Sequence, residues 1–214
     1  MKKTALLFVV VAMIGCNNTT ETTTTPPADT VATATAPAKE EAPPPMDSAT
    51  MMKKMMEYAT PGEMHKMLAT SDGKWNTETT MWMDPSKPPT KSTGSCENKM
   101  IFGGRYQQST HKGDWGGMPF EGTSTLAYDN SKKMFVNTWI DNMGTGIMVM
   151  EGTYDEATKT MNLKGKMTDC TTGKDCEMRQ TYKIVDDKNH YMEMFMTPAG
   201  GSEYKTMEMK LVKK

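Results

Sequence analysis

Arginine is nearly missing from this chain: Arg105 and Arg179 are the two among twenty-five basic residues. Bases and acids are interspersed and the net charge is -1, so there is no basic stripe to hold a nucleic-acid backbone. Histidine is scarce as well. His65, His111 and His190 stand alone in the sequence, so a zinc or copper site would need long-range assembly, and no metal ligand is assigned. The chain has no G-x-S-x-G nucleophile elbow, no phosphate loop, no dinucleotide fingerprint and no H-E-x-x-H helix. Common hydrolase and cofactor chemistry lose their usual supports, so no catalytic residue and no cofactor are assigned. Long apolar runs are also lacking: the stretch from Ala5 to Ile14 is too short to span a bilayer as a permanent helix.

What the first residues do contain is an address. "MKKTALLFVVVAMIGC" puts two lysines before a short apolar run and ends on a small residue and cysteine, the layout of a processing signal over residues 1–15. "MIGC" resembles a lipobox, with Met13 where leucine is usual; within that resemblance Cys16 receives the lipid and becomes the first mature residue. Asn17, not an aspartate, is next, which by the sorting rule of enterobacterial lipoproteins favours the outer membrane. Residues 16–46 are then a Thr-, Pro- and Ala-rich tether with almost no large apolar side chain, unable to repay the entropy of folding. Fully extended at roughly 3.1 Å per residue, it reaches about 90 Å from the lipid.

Residues 47–214 are one domain's length. "DSATMMKKMMEYA" predicts a helix capped by Asp47 or Ser48, with Met51, Met52, Met55 and Met56 on one face. "TPGEMHKML" predicts a second, with Thr60 as cap, Pro61 in the first position and Glu63 closing a capping box. Both are expected to cover one end or edge of a sheet. After Gly73 the period changes to two. Strands are expected over 74–83, 94–101, 104–111, 119–128, 133–140, 146–154, 160–169, 175–185, 189–197 and 203–212, separated by turn signals such as "DNSKK", "DEATK" and "DDKN". The fold class is all-β: an antiparallel meander of about ten strands, closed into a barrel that removes exposed edges. A flattened barrel or two-sheet sandwich is the alternative.

Twenty-five methionines raise soft-metal binding, since thioethers take Cu(I). They recur at core spacing rather than beside histidines, which reads as adaptable packing. With Cys16 lipidated, Cys96, Cys170 and Cys176 remain. Cys170 and Cys176 flank "TTGKD" and are expected to pair as a disulfide in an oxidising compartment. Cys96 is then a buried thiol, a partner in another disulfide, or a nucleophile without a base nearby in sequence.

In "GGRYQQSTH", Arg105, Gln107, Ser109 and His111 alternate onto one face, lining a cavity or facing solvent. Glu121 and Glu151 each precede a glycine and a Tyr-Asp pair, Tyr128-Asp129 and Tyr154-Asp155. Acid–base work by the two glutamates needs a separation that sequence does not give; pairing with arginine or lysine is the simpler expectation. In "FVNTWIDNMGTG", Phe135, Asn137, Trp139 and Asp141 share a face until the glycines reverse the chain. Trp139 is either a seal with Asp141 capping backbone amides, or a pocket floor with Asp141 as polar contact. The ligand-contact candidates are Arg105, Gln107, His111, Glu121, Tyr128, Trp139, Asp141 and Glu151.

"EMHKMLATSDGKW", "MIFGGRYQQ", "MPFEGTSTLAYDNSKKMFVNTWIDNMGTG" and "EGTYD" together resemble the bacterial domain-of-unknown-function family numbered 1579, over about residues 60–212. The resemblance implies a calycin- or lipocalin-type barrel and no established activity. His65, Gly73, Trp75, Gly103, Gly104, Arg105, Gly122, Tyr128, Asp129, Trp139, Asp141, Gly144 and Gly146 carry it. The expected function is that of a lipid-anchored envelope protein whose barrel binds a small, partly apolar or amphipathic ligand, touching the membrane through its N-terminal lipid only. The alternatives are a structural or protein-interaction module of the envelope, and an enzyme or copper-binding protein.

Overall fold

The backbone N–H and C=O groups of a strand are satisfied when it has a neighbour on each side, and every described strand has two. The computed structural model describes residues 46–214. Two helices, α1 (Ser48–Ala59) and α2 (Glu63–Ala69), precede ten strands: β1 (Gly73–Met81), β2 (Thr90–Ile101), β3 (Tyr106–Trp115), β4 (Met118–Asp129), β5 (Met134–Asp141), β6 (Met148–Asp155), β7 (Thr160–Thr168), β8 (Asp175–Ile184), β9 (Asn189–Thr197) and β10 (Tyr204–Lys213). Each pairs antiparallel with the next, and β10 pairs with β1 to close the barrel. The expected meander of about ten strands behind a short helical segment is the observed fold.

One face of each strand turns inward. Trp75, Cys96, Phe135, Met150, Leu163, Met178 and Leu211 are buried there, and on β9 Met192, Met194 and Met196 lie opposite the inward Tyr182, Gln180 and Met178 of β8. Methionine fills the place of leucine along this wall, consistent with its role as an adaptable packer.

α2 closes one end. Its His65 and Leu68 are buried, and it packs on β2, β3 and β4. Helix C-termini leave carbonyls without partners, and here the barrel interior supplies them. Gln107 Nε2 donates to Leu68 O at 2.7 Å and to Ser71 Oγ at 2.9 Å. Trp75 Nε1 donates to Ser71 O at 2.9 Å and Asn98 Nδ2 to the same oxygen at 3.2 Å. The cap of α2 differs from expectation. The helix begins at Glu63 rather than Pro61, and His65 Nδ1, not Glu63, accepts the Gly62 N–H at 3.0 Å. Thr60 instead finishes α1, its hydroxyl donating to Met56 O at 2.6 Å.

α1 covers nothing, contrary to expectation: none of its residues is buried, and Met51, Met52, Met55 and Met56 are 50–61 % exposed. Its end is held by Asn130, whose Nδ2 reaches Glu57 O, Tyr58 O and Thr60 O at 3.3, 3.0 and 2.8 Å.

The expected Cys170–Cys176 disulfide does not form; Cys96, Cys170 and Cys176 are all free thiols. Register is the reason. Met167, not Cys170, faces Cys176 across the β7–β8 ladder, and Cys176 is buried while Cys170 sits exposed in the turn. That turn is organised by Asp169, which accepts from Thr171 N at 2.8 Å and from the Thr172 hydroxyl at 2.8 Å.

The expected signal peptide over 1–15, the expected lipidation of Cys16 and most of the expected tether over 16–46 lie outside the described residues. No described helix is long and apolar enough to cross a membrane.

Candidate ligand site at the open end of the barrel

The end opposite α2 is ringed by the loops 82–89, 116–117, 142–147, 169–174 and 198–203. Among the described residues no helix covers it. The inward positions of β3, β4 and β5 that reach this end carry Trp115, Phe120 and Trp139, all partly exposed. Phe120 and Trp139 lie nearly parallel, 18° apart with centroids separated by 6.3 Å, and Trp115 meets Phe120 edge-on at 5.9 Å.

A glycine makes room for the Trp139 ring. Gly122 faces His111 on β3 and Asp141 on β5; a β-carbon there would fall 2.3 Å from Trp139 Cζ2, so the indole lies where a side chain would otherwise stand. Over Gly113 a β-carbon would meet Thr93 O at 3.5 Å and Gly94 Cα at 3.7 Å, ordinary contacts, so a small side chain would fit there.

The polar groups are few. Trp139 Nε1 donates to Asp141 Oδ2 at 2.7 Å, and Asp141 Oδ1 accepts the Met143 N–H at 2.9 Å. Asp141 therefore fixes both the ring and the start of the 142–147 turn; sealing and wall-forming are one arrangement. Asn142 ties the same turn to β4. Its N–H donates to Glu121 O and its Oδ1 accepts the Glu121 N–H, both at 3.0 Å, while its Nδ2 donates to Pro119 O at 2.9 Å. Beneath, His111 meets Trp139 at 5.3 Å, and its Nε2 lies 3.4 Å from Cys96 Sγ. The Cys96 thiol donates to Asn98 Oδ1 at 3.1 Å.

Strand pairing thus brings to Cys96 the base that its local sequence lacks. A cysteine nucleophile acts as the thiolate. Burial pushes the Cys96 thiol up to about 12 and holds the His111 imidazole down to about 4, so both are neutral near pH 7. Among the described residues no three of His, Cys, Asp and Glu converge as metal ligands.

Of the eight candidates, His111, Trp139 and Asp141 meet at the open end. Gln107 and Tyr128 point inward near the closed end, Gln107 committed to α2 and Tyr128 to His65 and Phe135 at 5.9 and 4.9 Å. Arg105 does not share the inward face of Gln107 and Ser109. The chain turns through Phe102, Gly103 and Gly104, all at positive φ, so alternation begins only at Tyr106; Arg105 is exposed and its Nη1 donates to Phe102 O at 3.0 Å. Glu121 and Glu151 are on the outer wall, paired with Lys112 at 2.8 Å and Lys132 at 3.3 Å. Lysine pairing, the simpler expectation, is what the fold gives them. Sequence reading missed Trp115, Phe120 and Gly113.

Residues 60–213, from the entry to α2 through β10, match the family described as "Protein of unknown function (DUF1579)". The chain belongs to that family. No curated protein matches the sequence. Among solved structures, the chain is similar to Rv2717c from M. tuberculosis, with 14 % identity and a TM-score of 0.55 over 72 % of this chain and 99 % of that one. A redesigned beta barrel aligns over the same shares at 9 % identity and a TM-score of 0.40. The first likeness is one of fold.

Proposed function

We propose that the barrel binds a small, partly apolar molecule at its open end. One observation carries the reading: three large aromatic side chains, all partly exposed, are turned inward at the end that no described helix covers. Inward-facing aromatics left partly hydrated gain by covering their surface with a ligand, at roughly 25 cal/mol per Å² of apolar area removed from water. Asp141 holds Trp139 in place, and the His111 imidazole closes the floor beside it. The N-terminal sequence supports a setting in the cell envelope, with the barrel on a lipid-anchored tether through Cys16.

Native mass spectrometry of the purified protein, beside a denatured control, tests the reading. A discrete retained mass, reduced in a Gly113→Leu variant that adds bulk on the inward side of β3, supports it. A folded protein that retains nothing and binds no hydrophobic probe refutes it. The exposed methionine face of α1 favours a second reading, an interaction module of the envelope, which that negative result would promote.

A further inference from the structure

The charge at the inward positions of the open end has one sign, and this narrows the ligand. No lysine or arginine lies among the inward positions there. The inward Lys213 is at the other end, donating to Thr70 O at 3.1 Å and lying 5.3 Å over the Trp75 ring. Arg179 is on the outer wall, paired with Glu203 at 2.7 Å and stacked 3.8 Å over Phe195. Asp141 is the inward ionisable acid at the open end. Its oxygens accept one hydrogen bond each from neutral donors, and among the described residues no lysine or arginine pairs with it. Each carboxylate oxygen retains a second lone-pair direction.

The rim is mixed. Asp84 and Asp169 cap the loops at this end, Asp84 also pairing with Lys87 at 3.5 Å, and Lys174 shares the turn of Asp169. Asp114 caps the 116–117 turn through Gly117 N at 2.7 Å.

Aromatic faces carry the negative end of their quadrupole, so rings grouped beside an unpaired carboxylate favour a positive guest. An anion entering the same space would lose its hydration and meet no cation, a cost that burial of a small apolar body does not recover. We propose that the occupant of the open end is an organic cation, a small quaternary or tertiary ammonium, held by Trp115, Phe120 and Trp139 and drawn in by Asp141. The proposal rests on the ligand-binding reading of this end and deepens it.

Three probes of one shape separate the possibilities: choline, its neutral isostere 3,3-dimethylbutan-1-ol, and the anion 3,3-dimethylbutanoate. Each is titrated into the full mature protein at low ionic strength, following the Trp139 indole N–H resonance and the heat of binding. Choline is expected to bind at least tenfold more tightly than the alcohol; tenfold is about 1.4 kcal/mol, within what a desolvated cation–π contact supplies. Asp141→Asn keeps one acceptor oxygen for the indole and is expected to bring the choline-to-alcohol affinity ratio close to one. Phe120→Leu keeps apolar bulk and is expected to do the same. Equal binding of choline and alcohol, or tighter binding of the butanoate, overturns the cation assignment while the ligand site stands. Failure of all three probes, with no retained mass in the native spectrum, sinks both.

Discussion

Acidification from about pH 7.5 to about pH 5 will remove a large share of this protein's stability, and histidine is the cause. His190 is 4 % exposed, packed against Trp75 at 4.4 Å and accepting the Tyr182 hydroxyl on Nδ1 at 2.7 Å. Burial, assisted by Lys213, holds its imidazole down to about 4, and burial alone does the same to His111. In the unfolded chain both titrate near 6.5. Between those values the unfolded state binds more protons, so stability is full above about pH 6.5 and is lost as pH falls toward 4. One such histidine costs roughly 2 kcal/mol between pH 7.5 and 5, and the pair roughly 3–4, since His111 at the open end keeps part of its hydration. That is comparable with half the stability of an ordinary domain. The depressed carboxylates, such as Asp169 at about 2, titrate below this window. Urea unfolding followed by tryptophan fluorescence at several pH values measures the effect. A free energy that changes by less than about 1 kcal/mol from pH 7.5 to 5, or a slope unchanged in the His111→Gln, His190→Gln double variant, would overturn this account.

Gly122→Ala forces a β-carbon to 2.3 Å from the Trp139 ring and will cost about 1–3 kcal/mol by overpacking, read as a lower unfolding midpoint together with a shifted tryptophan emission. Lys133 and Lys159 occupy positive φ, 55° and 53°, in hairpins that Asp129 and Asp155 open with the same backbone bonds; Lys133→Gly relieves that strain and will stabilise by up to about 1 kcal/mol, against no gain if the turn is unstrained. In the native protein a thiol reagent will modify Cys170 quickly and leave Cys96 and Cys176 untouched until unfolding, because they are buried; among these three described cysteines one fast thiol and two slow ones are expected. Asn130→Ala removes the clasp on Glu57, Tyr58 and Thr60 and will speed amide exchange in α1 while leaving the barrel amides unchanged.

The strands were legible because each buries one face, and alternation reports that directly. Where alternation lapses, sequence reading failed, and it failed at the site. β2 and β3 run to Thr90 and Trp115, beyond the expected 94 and 111, because Gly94 and Gly113 face each other and leave no apolar mark on the inward side. Trp115, beyond Gly113, therefore fell outside the expected strand. Arg105 failed in the opposite sense, its alternation extended back through a turn of positive-φ residues. α1 shows a third limit: its methionine spacing specified a helical face, but a face does not name what lies against it. The Cys96–His111 pair needs the β2–β3 register, which hangs on where the Phe102–Arg105 turn sits rather than on any motif.

Closure of the barrel sets an order on synthesis. The seam joins β1 to β10, the first strand made to the last, and Lys214 N reaches back to Lys74 O at 2.8 Å. Until β10 emerges, the nascent chain is an open sheet with two unpaired margins, each a template for wrong partners. The stretch most exposed to a premature stop is therefore the one whose loss uncovers β1 and β9 together. A chain cut before Tyr204 faces self-association or the attention of a chaperone, while a permuted chain that begins elsewhere and fuses these two neighbouring ends keeps every rung of the ladder.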